Sequence, residues 1–323
     1  MGSSYKTVAF QTLGCKLNFA ETSTLARDFS SHGYAQVGID HPADLFVINT
    51  CSVTEELSTL LKYAYQKNIS AIFIGSGSNI LVWDKGFNGI VISLKKSFKN
   101  LSIKKNSQII VESGVMLGTL VKQAMSAQIG GLESLIGVPG TVGGALIMNA
   151  GAFGSEISKY FEEAKTMTIE GDTKSYKKGE IEFSYRHSTF PKNEILLEAT
   201  FQCKRGKPAE ILKDRKVASD GRKSNQPLKF RSAGSIFKNP SDSLAAGYLI
   251  DKTGLKGTER GGAAISEKHA NFIVNMGDAT AADVLYLIKL AKKYVAEKFH
   301  INLELEVKLI GFPKSMTQDI YYA

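Results

Sequence analysis

Three short polar stretches of this chain carry residues able to handle a proton or a negative charge. In Phe183-Ser184-Tyr185-Arg186-His187-Ser188 the planar guanidinium of Arg186 has the donor geometry to orient a carboxylate or stabilise an enolate. A surface ion pair is its alternative role. In Ser232-Ala233-Gly234-Ser235-Ile236-Phe237-Lys238-Asn239-Pro240, Ser235 follows two small residues and precedes an apolar pair. A serine held in such a turn can pass a proton if its neighbours stabilise the charge. Capping the turn is the simpler use of the same hydroxyl. Glu304 and Glu306 fall on the polar face of an alternating segment. Glu306 becomes poised for proton chemistry only where another part of the protein covers that face.

Two glycine loops suit a phosphate-bearing cofactor. The run Gly137 to Gly154 packs six glycines into eighteen residues and mixes them with apolar residues, unlike a flexible linker. Glycine allows close backbone approach and positive φ, so the run reads as a buried backbone cradle. Tight turns in a β-rich core remain the alternative. Upstream, Ala71-Ile72-Phe73-Ile74 reads as a buried strand, Gly75-Ser76-Gly77-Ser78-Asn79 as a turn, and Ile80-Leu81-Val82 as a second strand. This is not the G-x-G-x-x-G fingerprint: the third glycine is missing and no helix opens after the turn. A plain hairpin explains this stretch equally well, but the pair of loops favours a dinucleotide site.

Several elements must position these residues. Leu57, Leu60, Leu61 and Ala64 have helical spacing, and Met116 to Gln128 reads as another helix. Thr166 to Tyr176 reads as a hairpin turning at Gly171-Asp172. Charged residues from Lys204 to Lys213 mark a domain boundary, and Lys223 to Asn239 is loop-rich. Val284, Leu287, Ile288, Ala291 and Val295 form one face of a long helix, with Thr280 and Asp283 as its capping box. Ile301 to Ile310 alternates as a strand with Leu303, Leu305, Val307 and Leu309 inward, and residues from about Pro313 read as a tail. The chain is α+β.

Composition narrows the class. At 323 residues the chain is long enough for two or three domains, and no apolar run approaches the roughly 18 residues of a membrane span. Met1 to Lys6 lacks a secretory apolar region, so the cytoplasm is the expected compartment. Cys15, Cys51 and Cys203 are too few and too far apart for a disulfide framework. The formal charge of +9 is spread along the chain, without the basic stripe and stacking aromatics of a nucleic-acid binder, and would help attract an anionic small molecule. The five histidines show no metal-ligand spacing. There is no G-x-S-x-G elbow and no P-loop lysine, which weighs against a hydrolase or a kinase.

Together the two glycine loops, Tyr185-Arg186-His187-Ser188, Gln226-Pro227, Ala233 to Pro240 and Leu303-Glu304-Leu305-Glu306-Val307 resemble the UDP-N-acetylenolpyruvoylglucosamine reductase family, from about Leu57 to Gly311. The resemblance implies an FAD-binding domain of the vanillyl-alcohol-oxidase type at 37–205, a smaller α+β substrate-binding domain at 206–312, and a tail at 313–323. It implies FAD and NADPH as cofactors and reduction of UDP-N-acetylglucosamine enolpyruvate to UDP-N-acetylmuramate for peptidoglycan synthesis. Ser235 would protonate the enol intermediate, with Arg186 and Glu306 stabilising it or assisting protonation. Gly75, Ser76, Gly77, Ser78, Asn79, Pro139, Gly140, Thr141, Gly143, Gly144 and Gly151 would bind FAD. Tyr185, Asn225, Gln226, Lys238 and Asn239 would bind substrate, Asn225 standing where many relatives carry Lys. The short span from Arg186 to Ser224 resembles the shorter subclass, which lacks a substrate-covering loop.

The N-terminus departs from that family. Thr12 to Thr22 and Val47 to Thr54 resemble the first domain of tRNA methylthiotransferases, where cysteines at the positions of Cys15 and Cys51 join a third in holding an iron–sulfur cluster. No suitable third cysteine and no C-x-x-x-C-x-x-C follow here, so the resemblance does not extend to a cluster. The segment 1–36 reads as a methylthiotransferase-like piece joined to a reductase. This unusual start keeps a second reading open, a fusion that binds FAD or UDP-sugar without turnover.

Overall fold

The computed structural model describes residues 6–13, 16–31, 33–38, 45–50 and 53–321; Cys15 and Cys51 lie outside them. The chain forms two compact units. One takes Met1–Ser76 with Asn88–Arg215, and the other takes Gly77–Phe87 with Lys216–Ala323.

The first unit holds a parallel sheet and an antiparallel one. In the parallel sheet Lys6–Leu13 lies between Tyr34–Val37 and Leu45–Thr50, followed by Ile90–Ser93 and Ala71–Ile74. Parallel neighbours need a crossover, which helix α1 (Lys16–Ser31) and helix α2 (Val53–Gln66) provide. The expected face of α2 is real: Leu57, Leu61 and Ala64 are buried in a cluster with Ile90, Ile92 and Phe98. Strand Ala71–Ile74 is only half-buried, not buried as its composition suggests, because it is the sheet's edge. The N-terminal segment thus shares a sheet with strands of the reductase-like region through the pair Phe46 and Ile90.

The antiparallel sheet runs Thr173–Lys177, Phe161–Thr168, Glu194–Gln202, Gln108–Glu112, Leu101–Ile103. Its first pair is the expected hairpin, closed by Gly171 at φ 87°. Helix α3 (Leu117–Ser126) sits where the helix Met116 to Gln128 was expected and buries Leu117, Leu120, Val121 and Ala124. Helix α4 (Val142–Ile147) is formed by the glycine run itself. Helix α5 (Pro208–Asn225) corrects one expectation. It replaces the start of the loop-rich stretch, because Ile211, Ala218 and Arg222 recur at helical spacing and are buried.

In the second unit, Arg231–Ser235, Phe272–Asn275, Ala263–Ile265 and Glu259–Arg260 form an antiparallel sheet. Helix α6 (Ala246–Lys252) and helix α7 (Ala281–Phe299) share its core, where Leu249, Ile250, Leu285, Leu287, Ile288 and Val295 are buried. The capping box is present: the Asp283 N–H donates to Thr280 Oγ1 (3.1 Å) and the Thr280 N–H donates to the Asp283 carboxylate (3.0 Å). The carboxylate of Asp84 accepts the next two amides, from Ala281 (2.7 Å) and Ala282 (3.1 Å), and so fastens segment 77–87 to α7.

Two expectations fail at the C-terminus. Ile301 to Ile310 is not one strand. Leu305 bridges Phe237, and Lys308–Ile310 then pairs in parallel with Ile80–Val82. Leu303 and Val307 are buried as the alternation requires, but the ladder breaks where the segment changes partner. The expected tail is helix α8 (Lys314–Tyr321), which buries Ile320. Lys292 ties α7 to both segments, its Nζ donating to the carbonyls of Leu303 (2.8 Å) and Ile320 (2.9 Å). Burial pushes the Lys292 ammonium below the ordinary lysine range.

Candidate functional site

The glycine loop begins where strand Ala71–Ile74 ends and is not a hairpin turn. Strand Ala71–Ile74 pairs with Ile90–Ser93, while Ile80–Val82 pairs with Lys308–Ile310. The Ser93 hydroxyl donates to the Gly75 carbonyl (3.0 Å). A side chain on Gly75 would run into that of Thr141, so the two glycine loops are packed against each other at this point. Thr141 is the N-cap of α4, its hydroxyl accepting from the Gly144 N–H (3.4 Å). The Val142 N–H donates to Val115 (2.8 Å) and the Gly143 N–H to Ser113 (2.9 Å). These three amides are therefore satisfied within the protein. Gly143 serves close packing, since a Cβ there would lie 2.9 Å from the Ser113 Cβ. Gly140 is buried at φ 133°, a conformation that favours glycine, and its carbonyl accepts from the Leu117 N–H (3.0 Å). Pro139 is exposed beside it.

Two buried hydroxyls around this packing, Ser76 Oγ and Ser113 Oγ, have no hydrogen-bond partner among the described residues. A buried hydroxyl without a partner is costly. Both suit an acceptor-rich ligand such as a pyrophosphate. Gly77, at φ 75°, leaves its Cβ direction open apart from Ile80 at 3.7 Å, and Gly144 leaves its own open apart from Thr141 at 3.7 Å. Within the first unit, the unpartnered Ser76 and Ser113 hydroxyls and the open face of Gly144 fit a phosphate-bearing cofactor.

The end of the glycine run holds Arg186. Asn149 is fully buried, and its amide donates to Glu156 (2.8 Å) and to the Ser184 carbonyl (3.0 Å). The Ser188 hydroxyl donates to the Ile147 carbonyl (2.8 Å). These bonds pin the hairpin formed by Phe183–Ser184 and His187–Ser188 to the glycine run. Arg186, in its turn at φ 54°, donates to the Gly151 carbonyl (3.1 Å) and lies 4.9 Å from the centre of the Tyr185 ring. Tyr185 is 41% exposed. Sequence reading missed Asn149, although it sits inside the most glycine-rich stretch.

Ser235 and Glu306 meet in the second unit. Ser235 ends its strand opposite Phe272, after a bulge in which Gly234 takes φ 79°. The next residue, Ile236, has its carbonyl bonded by the Glu306 N–H (2.8 Å), so the backbones of Ser235 and Glu306 are one residue from direct contact. Asn79 completes the junction: its amide donates to the Glu306 carbonyl (3.0 Å), and its own carbonyl accepts from the Lys308 N–H (3.0 Å). Ser78 is close as well, its carbonyl 3.8 Å from where a Gly234 Cβ would stand. Lys238 pairs with exposed Glu304 (2.6 Å), and Asn239 accepts from the Ala246 N–H (3.1 Å) at the start of α6. Gln226 follows α5 and donates from its N–H to the Arg222 carbonyl (2.9 Å), while Asn225 is exposed at that helix's last position.

The fold thus gathers the expected residues in two sets. Gly75, Ser76, Thr141, Gly143, Gly151, Tyr185 and Arg186 lie in the first unit, and Ser78, Asn79, Ser235, Lys238, Asn239 and Glu306 in the second. The unit division falls inside the glycine loop, between Ser76 and Gly77.

Comparison with known proteins gives three family matches. The C-terminal domain of UDP-N-acetylenolpyruvoylglucosamine reductase matches residues 226–310, an FAD binding domain matches 47–176, and the uncharacterized protein family UPF0004 matches 7–72. A UDP-N-acetylenolpyruvoylglucosamine reductase of Carboxydothermus hydrogenoformans is 42% identical over 84% of this chain and 89% of its own. One of Shouchella clausii is 40% identical over 87% of this chain and 88% of its own. The solved structure of the UDP-N-acetylenolpyruvylglucosamine reductase of Thermus caldophilus covers 80% of this chain and 90% of its own at 36% identity, with a TM-score of 0.69.

Proposed function

The chain belongs to the UDP-N-acetylenolpyruvoylglucosamine reductase family, and from that premise we propose that it reduces UDP-N-acetylglucosamine enolpyruvate to UDP-N-acetylmuramate, an FAD- and NADPH-dependent step of peptidoglycan precursor synthesis. The observation that carries the reading is the backbone junction of Ser235 and Glu306 through Ile236. The bond brings the backbones that carry a hydroxyl and a carboxylate to one neighbourhood, and protonation of an enolate uses such groups.

FAD, when bound, supplies hydride transfer from NADPH to the enolpyruvyl double bond. Gly75 to Asn79, Pro139 to Thr141, Gly143, Gly144 and Gly151 hold it in this reading, with the Ser76 and Ser113 hydroxyls as donors. Hydride addition leaves negative charge on the carbon beside the substrate carboxylate. Ser235 gives that carbon its hydroxyl proton, Arg186 stabilises the developing charge with its guanidinium, and Glu306 assists the proton transfer. Tyr185, Asn225, Gln226, Lys238 and Asn239 bind the UDP-sugar. The flavin domain takes 37–205 and the substrate domain 206–312 in this reading, and segment 1–36 is a methylthiotransferase-like addition without a cluster. The enzyme works in the cytoplasm. No described helix is long and apolar enough to cross a membrane.

Anaerobic titration of the purified protein tests this. The flavin absorbance of the wild type should bleach with NADPH and return with UDP-N-acetylglucosamine enolpyruvate. The variant Ser235→Ala should bleach normally and reoxidise at least 100-fold more slowly (a rate factor typical of a lost general acid). Equal loss of both half-reactions would remove Ser235 from its role.

A further inference from the structure

We infer that Asn271 is a positioning residue for Ser235, its side chain standing in for the strand that would otherwise hold the serine in place. The inference rests on the role proposed for Ser235. Strand Phe272–Asn275 runs antiparallel to Arg231–Ser235, and its partnership with that strand ends at the pair Phe272 and Ser235. Beyond that pair the serine segment continues as Ile236 and Phe237; Phe237 bridges Leu305 on its other edge, but strand Phe272–Asn275 offers it no ladder residue.

Asn271 fills the gap. Its backbone carbonyl accepts from the Ile236 N–H (2.9 Å). Its side chain then behaves like a peptide unit. Oδ1 accepts from the Phe237 N–H (2.9 Å), and Nδ2 donates to the Phe237 carbonyl (2.8 Å). The residue is 3% exposed, so these bonds are shielded from water. Its own N–H donates to His269 Nδ1 (3.2 Å). Ile236, held by Asn271 on its N–H, is held by Glu306 on its carbonyl. Asn271 therefore bonds both residues that follow Ser235, and the first of them also bonds Glu306.

The geometry matters because the turn is otherwise adaptable. Gly234 precedes Ser235 in the left-handed region, and the bulge between Ser232 and Ser235 adds a residue without a ladder partner. On the C-terminal side of Ser235 the chain is held along one edge by backbone bonds from the segment 304–306 and along the other by Asn271, whose clamp on Phe237 is made by a side chain. A misplaced proton donor loses rate steeply even where the fold survives.

The test is a double-mutant cycle on the holoenzyme. Asn271→Asp keeps an acceptor for the Phe237 N–H but sets a second oxygen against the Phe237 carbonyl. Its flavin should bleach with NADPH at the wild-type rate. Reoxidation by UDP-N-acetylglucosamine enolpyruvate should slow at least tenfold, through kcat rather than KM. In the Ser235→Ala background the same change should have no further effect, because residues that act as one unit are not additive. Equal slowing of both half-reactions, or an additive loss in that background, would overturn the inference. Should Asn271→Asp yield no holoenzyme, Asn271→Ser gives the same readout, and failure of both to yield holoenzyme would assign the residue to the fold alone and overturn it too. If Ser235→Ala itself reoxidises normally, the role of Ser235 fails. A defective Ser235→Ala with a normal Asn271→Asp removes only the role of Asn271.

Discussion

Gly75 shows how a single missing side chain builds a site. Its carbonyl is held by Ser93 and its Cβ direction is filled by Thr141, so an added methyl must push the cap of α4 or the loop itself. Gly75→Ala should therefore weaken FAD binding at least tenfold, equivalent to about 1.4 kcal/mol, measured by flavin fluorescence on titration. Retention of wild-type affinity would mean that the loop does not contact the cofactor. Such glycines were visible in the sequence as a pattern. Their reasons were not, because Gly75 and Gly143 are needed for packing while Gly77 and Gly144 leave space open. Arg186 was legible as a cation in a polar stretch, but its bond to Gly151 depends on a partner 35 residues away.

Among the elements, the antiparallel sheet of the first unit is locked by one carboxylate. Glu194 is buried, and accepts from Thr166 (2.6 Å) on the adjacent strand and from Lys174 (2.9 Å) and Tyr176 (2.9 Å) on the strand beyond it. Burial pushes its carboxyl up, but the hydrogen bonds from Thr166, Lys174 and Tyr176 outweigh it and hold the group below the ordinary carboxylate range. The charged form is thus favoured by folding. Its contribution is complete above the unfolded-chain value of about 4.3 and is lost as pH falls through the lower folded value. Glu194→Gln should cost roughly 1–3 kcal/mol at pH 7, measured by urea unfolding, and its deficit against the wild type should shrink below about pH 4. A deficit independent of pH would assign the loss to packing. The hairpin and the capped helix α7 were legible because turn and cap residues act locally. The run Ile301 to Ile310 misled because alternation shows which side is buried, not which strands pair.

At the scale of the whole molecule, chain order and spatial order part. Segment 77–87 leaves the unit of its neighbours in sequence and joins the C-terminal unit, through Ile80–Val82 and through Asp84 on α7. Helix α8 belongs to that same unit, where buried Ile320 and the bond from Lys292 hold it. Removing residues 314–323 should lower stability by about 2 kcal/mol, the scale of one buried isoleucine, seen as a lower urea midpoint. An unchanged midpoint would return α8 to the status of a tail. The helix was hidden in the sequence because Pro313 reads as a stop, whereas proline also suits the position just before a helix.

The sequence by itself determined the types and order of the chemical groups: two glycine loops, an arginine in a polar stretch, a serine in a small-residue turn and a carboxylate on an alternating segment. It also determined the faces of α2 and α7 and the place of α3, because helix periodicity and capping are read from residues a few positions apart. Tertiary structure decided which groups meet. Gly75 packs on Thr141, Arg186 on Gly151, and Ser235 beside Glu306 under Asn79 and Asn271. Those meetings join residues from 34 to 227 positions apart. They follow from strand pairing and burial, which no local pattern encodes.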